Sequence, residues 1–220
     1  MAVRNTADRG NFNPEVVLPY ELRFEDFALA MQDVYDFFYD VNELLISKAL
    51  IRFDDMLRPA NMSGMLSDML TASLAKHSRT LTQNAYFNGH PDLVLNGVYP
   101  HNSVKAGTEG IEIKTTRKKG GAVDTHGARD QWMCSFVYVV DGETEPTHNR
   151  APMTFTEVYL GKVMEGIFGT ILEVDSAPAR RHSINSALRS CERTGCTVCR
   201  EERGLRFPAD YLLPTELRDD

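Results

Sequence analysis

Glu112 and Lys114 sit one residue apart in "TEGIEIKTTRKKGG", residues 108–121. As a β-strand this stretch has period two, so Ile111 and Ile113 share one face while Glu112 and Lys114 share the other. A carboxylate and an ammonium then project together from the sheet. Directly after them come Arg117, Lys118 and Lys119, with Gly120 and Gly121 allowing close backbone approach, a cluster able to hold phosphate. An exposed edge strand guarded by lysine would carry the same alternation, so the meaning of the pair depends on its surroundings. Upstream, in "HPDLVLNG", Asp92 follows Pro91 and precedes an apolar strand. The gap to Glu112 fits a strand, a turn and a return strand, which would bring Asp92, Glu112 and Lys114 together at one end of a sheet. Pro-Asp is also ordinary turn chemistry; that reading suits Asp92 alone better than all three residues in this order.

Pro91-Asp92, a strand-sized gap and Glu112-Ile113-Lys114 together resemble the motif of the PD-(D/E)XK nuclease superfamily, which includes most type II restriction endonucleases. The resemblance covers roughly Gln83 to Asp141. It implies a restriction-endonuclease-like core and hydrolysis of DNA phosphodiester bonds to a 5′-phosphate and a 3′-hydroxyl. It also implies one or two Mg²⁺ ions held by Asp92, Glu112 and the Ile113 carbonyl, with Lys114 orienting the attacking water or holding the adjacent phosphate. Some members carry a further acidic residue on the preceding helix, where Asp68 stands. The chemistry suits these residue types, because a phosphodiester repels nucleophiles through its own negative charge. Hard divalent cations that prefer oxygen ligands neutralise that charge.

On this reading Arg117, Lys118 and Lys119 grip DNA phosphates, although a charged loop is also simply well solvated. In "DTHGARDQW", Arg129 and Gln131 have the donors and acceptors to read base edges, near His126. His90 reads as a hydrogen-bonding neighbour of Pro91, not a ligand. The expected function is a sequence-specific type II restriction enzyme of double-stranded DNA, acting as a homodimer whose two sites address two antiparallel strands, with the N-terminal helices at the interface. A repair or recombination nuclease of the same superfamily is one alternative. A non-catalytic, zinc-stabilised nucleic-acid-binding protein is the other.

A second constellation lies in "SCERTGCTVC", where Cys191, Cys196 and Cys199 give C-x4-C-x2-C; C-x2-C is the usual half of a structural zinc site, and a fourth ligand is missing from the immediate pattern. His182 is the nearest fourth ligand, and unligated thiols in an arginine-rich turn are the alternative. Cys134, inside an apolar run, reads as core.

The elements that must position these groups follow from periodicity. From Tyr20 to Arg58 there is neither Gly nor Pro, and Phe24, Phe27, Met31, Val34, Phe38, Val41 and Leu45 recur at spacings of three and four. That is amphipathic helix, in one piece or two, closed by Pro59. A second helix is expected from about Asn61 to His77. Short strands joined by tight turns follow across 85–100, then strands at 110–117, 131–141 and 153–163, and a helix over Ser183 to Arg193. The fold class expected is α/β or α+β, a central mixed sheet flanked by helices. It forms a single domain over 1–220 with a helical part (1–80), a sheet core (81–175) and an Arg/Cys-rich part (176–220). At 220 residues, 42% hydrophobic and 25% charged, the composition is that of a globular protein. No apolar run could span a bilayer and the start has no signal-peptide core, so the expectation is a cytoplasmic protein without a membrane partner. The net charge of −7 disfavours a general nucleic-acid coat protein, but residues 176–206 hold seven arginines against three glutamates, so positive charge is local.

Overall fold

The three-and-four spacing that begins at Phe24 becomes helix α1, Phe24–Ser47. The structure is a computed structural model, and it describes residues 3–120 and 130–163 and the backbone of 172–175. Asp26 anchors the start of α1. Its buried carboxylate accepts the Arg23 backbone N–H at 2.9 Å and pairs with the Arg23 guanidinium, satisfying groups a helix N-terminus leaves open. Phe27, Met31, Val34 and Phe38 form the buried stripe. A one-turn helix α2, Phe53–Met56, follows, tied back by Asn42, whose Oδ1 accepts from Phe53 N at 2.7 Å and whose Nδ2 donates to Asp54 at 2.9 Å. Pro59 does not end this run; it opens helix α3, Pro59–His77. At the first helical position its missing N–H would have had no partner anyway. Met62, Leu66, Leu70 and Leu74 are the face that α3 buries.

Six strands pair in chain order: β1 Leu81–Gln83, β2 Leu93–Leu95, β3 Gly110–Thr116, β4 Gln131–Val139, β5 Thr154–Val163 and β6 Leu172–Asp175. Every neighbouring pair is antiparallel except β3 and β4, which run parallel. The sheet is therefore mixed and the class is α+β, with the long helices N-terminal, as the periodicity suggests. Among 85–100 only β2 is strand. The chain ahead of it is irregular because the Asn84 side chain takes up backbone groups that would otherwise form a ladder.

The two faces of the sheet differ. Ile111, Ile113, Cys134, Phe136, Tyr138, Phe155 and Leu160 point into the core shared with α1 and α3. Phe27 of α1 meets Phe136, Tyr35 meets Phe155, and Ser63 of α3 meets the Tyr138 hydroxyl at 2.9 Å. Burial pushes the Cys134 thiol far up, as befits a core cysteine. By alternation, Glu112, Lys114 and Thr116 project from the opposite face, next to Met133, Ser135 and Val137 of β4. Among the described residues no helix is long and apolar enough to cross a membrane. His126, Arg129, His182, Cys191, Cys196, Cys199 and the helix expected over Ser183–Arg193 lie outside the described residues.

Gly110 sets how closely β2 and β3 approach. A Cβ there would stand 2.0 Å from the Leu93 carbonyl oxygen and 2.6 Å from Pro91 Cγ, far inside any contact distance, and the first of these atoms is backbone. Gly110→Ala should therefore push β2 off β3 and destabilise the protein by roughly 1–3 kcal/mol, the usual cost of overpacking. Urea denaturation measures this; an unchanged midpoint would show that the strands can separate freely.

Candidate metal centre

The register of β2 on β3 determines where the acidic groups fall. Leu93 pairs with Ile111 and Val94 with Gly110; one step further back, Asp92 stands across from Glu112. The Ile113 N–H donates to Asp92 Oδ2 at 2.7 Å, and Asn84 N donates to the Asp92 carbonyl at 2.9 Å, so both ends of the residue are fixed. Glu112 is only 2% exposed. Its Oε1 takes the Lys114 ammonium at 2.6 Å, while His90 Nδ1 lies 3.2 Å from Oε1 and 3.1 Å from Oε2. Asp92, Glu112 and Lys114 thus come together as their order in the chain suggests.

His90 is the addition. It is a hydrogen-bonding residue, as expected, but its partner is Glu112 on the next strand, and together with Asp92 and Glu112 it offers three ligand atoms lying within 4.8 Å of one another. The chain offers little signal for this, because His90 and Asp92 lie in the bend ahead of β2, where strand alternation does not place them, and are joined through a cis His90–Pro91 bond. Its backbone is held by a parallel bridge to Ala106, with His90 N donating to the Lys105 carbonyl at 3.1 Å and Gly107 N to the His90 carbonyl at 2.8 Å.

Two carboxylates facing each other against one ammonium leave the cluster short of positive charge. Burial, then the neighbouring Glu112, push the Asp92 carboxyl up to about 6, against the Ile113 N–H, Lys114 and His90, which pull it down. A protonated or cation-bound Asp92 relieves the same repulsion. Both are ways of supplying the missing charge.

The remaining candidates are placed differently. Arg117, Lys118 and Lys119 are exposed at the far end of β3, five residues beyond Glu112, or about 17 Å at a strand's rise of ~3.3 Å per residue. Gln131 opens β4 and is 6% exposed, so its amide is not presented on the surface. Alternation puts Gln131 on the face of Met133 and Glu112, and its Oε1 has no hydrogen-bond partner among the described residues. Asp68 is exposed and does not join the cluster. Its helix packs on the other face, where Ser63 O and Ser67 Oγ meet Thr115 Oγ1.

The raised Asp92 carboxyl makes a stability prediction. A folded-state value of about 6 against 3.8 for the free side chain means the native protein holds this proton more tightly than the unfolded chain. Ionisation therefore costs nothing below pH 4, costs progressively more between 4 and 6, and costs in full above 6. Asp92→Asn keeps an acceptor for the Ile113 N–H and removes the charge. Without divalent cation it should be more stable than wild type at pH 7.5 by on the order of 1–3 kcal/mol, with the difference vanishing near pH 4. Urea melts at the two pH values measure it, and a variant less stable at pH 7.5 would refute the charge argument.

No family model, no curated protein and no solved structure matches this chain.

Proposed function

We propose that the protein is a divalent-cation-dependent DNA endonuclease of the PD-(D/E)XK type, in its most specific form a type II restriction enzyme of double-stranded DNA. The observation that carries this is the placement of Asp92 directly across from Glu112, with the Ile113 backbone bonded to Asp92 and Lys114 on the Glu112 face.

The residues fit a cation such as Mg²⁺. Asp92 and Glu112 supply carboxylate oxygens, and the Ile113 carbonyl adds another. In a strand the N–H and C=O of one residue point to the same side. Since the Ile113 N–H is directed at Asp92, its carbonyl is directed toward that same edge. A divalent ion held there would offset the phosphate's negative charge and lower the pKa of an attacking water. Lys114, whose ammonium already lies on this face beside Glu112, orients that water and meets the charge that builds on the phosphate oxygens. The water oxygen bonds to phosphorus as it gives up a proton to solvent, the P–O3′ bond breaks, and the departing 3′ oxygen takes up a proton from solvent, so one water is divided between the 5′-phosphate and the 3′-hydroxyl. Glu112 holds Lys114 in place before substrate arrives.

Arg117, Lys118 and Lys119 fit phosphate contacts about five base steps of axial rise from the site, not contacts to the scissile phosphate itself. A symmetric dimer would present two such sites to the two strands. The exposed Leu44, Leu50 and Ile51 at and beyond the end of α1 favour that helix as the shared surface.

Incubation of a sequenced plasmid with the protein and Mg²⁺ or Mn²⁺ tests the activity. Discrete fragments would support a restriction enzyme, a smear a structure-reading nuclease, and intact plasmid would refute catalysis. Glu112→Gln and Lys114→Ala should each slow cleavage by roughly 10²–10³-fold or more, the usual effect of removing one preorganised charge from an active site. Lys114→Arg should rescue poorly, since a planar fork does not replace a compact ammonium; full activity in Lys114→Ala would reduce this lysine to an edge guard.

Neutralising Arg117, Lys118 and Lys119 together should weaken DNA binding for all sequences and reduce the salt slope by up to about one unit per lost phosphate contact. Binding in Ca²⁺ across a salt series measures this. A changed sequence preference at constant slope would mean that these residues read bases.

A further inference from the structure

His90 is placed as no surface histidine needs to be. Its Nδ1 lies 3.1 Å from Glu112 Oε2 and 3.2 Å from Oε1; Lys114 also takes Oε1, so Oε2 is the oxygen that the ring approaches without the ammonium. Ligands at right angles around an ion with bonds of about 2.1 Å are separated by about 3 Å, which matches this pair. Backbone bonds on both sides of His90 hold it there. The preceding turn is tight as well, since a Cβ on Gly89 would stand 2.3 Å from the Val104 carbonyl oxygen. On the same face the buried Gln131 Oε1 has no partner among the described residues. A buried acceptor without a donor is uncommon in folded proteins, and the water molecules carried by a hydrated ion are donors.

A third ligand that is nitrogen changes which ion the centre prefers. Mg²⁺ is hard, binds oxygen and gives up its waters reluctantly; imidazole nitrogen favours first-row transition ions. We propose that His90 is a third protein ligand beside Asp92 and Glu112, and that the resulting one-nitrogen centre binds Mn²⁺ more tightly than Mg²⁺ or Ca²⁺. This rests on the assignment of Asp92 and Glu112 as cation ligands and adds to it the ion class and the residue that selects it.

Mn²⁺ binding to the full chain tests the proposal without reference to cleavage. Pulsed electron paramagnetic resonance of the Mn²⁺-loaded wild type should show modulation from a directly bound nitrogen, and ¹⁵N-histidine labelling should shift its frequency. Calorimetric titration should give tighter binding of Mn²⁺ than of Mg²⁺. His90→Gln, which offers an amide oxygen in place of the ring nitrogen, should abolish the modulation and cut the Mn²⁺-to-Mg²⁺ affinity ratio by about tenfold or more. Wild-type protein that binds Mn²⁺ with no nitrogen modulation would overturn the role of His90 and leave the nuclease assignment standing, and this measurement needs no variant to fold. Modulation or an affinity ratio unchanged in His90→Gln would likewise remove His90 from the ligand set. Wild-type protein that binds neither ion would overturn the cation site and the proposed activity together.

Discussion

Two carboxylates brought face to face on adjacent strands repel one another, and their burial adds to the cost. Everything near Asp92 and Glu112 bears on how that repulsion is held. The strand register puts Asp92 across from Glu112, and Gly110 lets the backbones approach closely enough for it. The Ile113 N–H, the Lys114 ammonium and the His90 ring each offset part of the charge. The compensation is incomplete, as the upward shift of Asp92 to about 6 records. A fold that only needed a stable sheet edge would place a neutral residue there. Incomplete compensation suits a site whose remaining charge is supplied by a ligand.

Much of this was legible because the sheet has period two and its central strands are long. β3, β4 and β5 could be read from alternation and from the continuous apolar run of a buried strand, and Asp92, Glu112 and Lys114 followed once those strands were adjacent. The irregular stretch before β2 was not legible as such. Alternating residues and Asn-Gly pairs look like hairpins, but the Asn84 side chain binds Pro91 O, Val104 O and Val104 N and takes the place of a ladder. His90 was missed as a member of the cluster for the same reason, because its position depends on a bridge to Ala106 that pairs residues distant in the chain. The two ends of β3 show the same limit. Sequence proximity suggested that Arg117 to Lys119 adjoin the site, whereas an extended strand carries them a full strand length away from Glu112.

Gln131 illustrates how one residue type can serve either surface or interior. A glutamine beside Asp130 and Trp132 in a polar stretch looks available to read a base edge. Gln131, however, opens β4 in antiparallel register with Val163 of β5, and it is buried there. Its Oε1, without a hydrogen-bond partner among the described residues, lies on the face that holds Glu112. That β4 is paired from its first residue could not be read from either strand alone, because alternation names the faces of a strand and not its partner.

The aspartates separate into two kinds by the way their charge is met. Asp33 is partly buried, which on its own would raise its carboxyl, yet Ser73, Lys76 and His77 all converge on it and bring it down to about 2. Its charge is met in full, and it joins α1 to α3. Asp141 is likewise held low, by the backbone N–H groups of Thr144, Ala151 and Glu143, and it shapes a loop. Of these three aspartates only Asp92 moves the other way. Its one strong donor is the Ile113 N–H, and its nearest charged neighbour across the strand is another carboxylate. Aspartates that build the fold carry their partners with them. An aspartate held in a buried cluster with too few partners is set apart by electrostatics alone, and the carboxylate so distinguished is the one that the Pro-Asp, Glu-x-Lys spacing also selects.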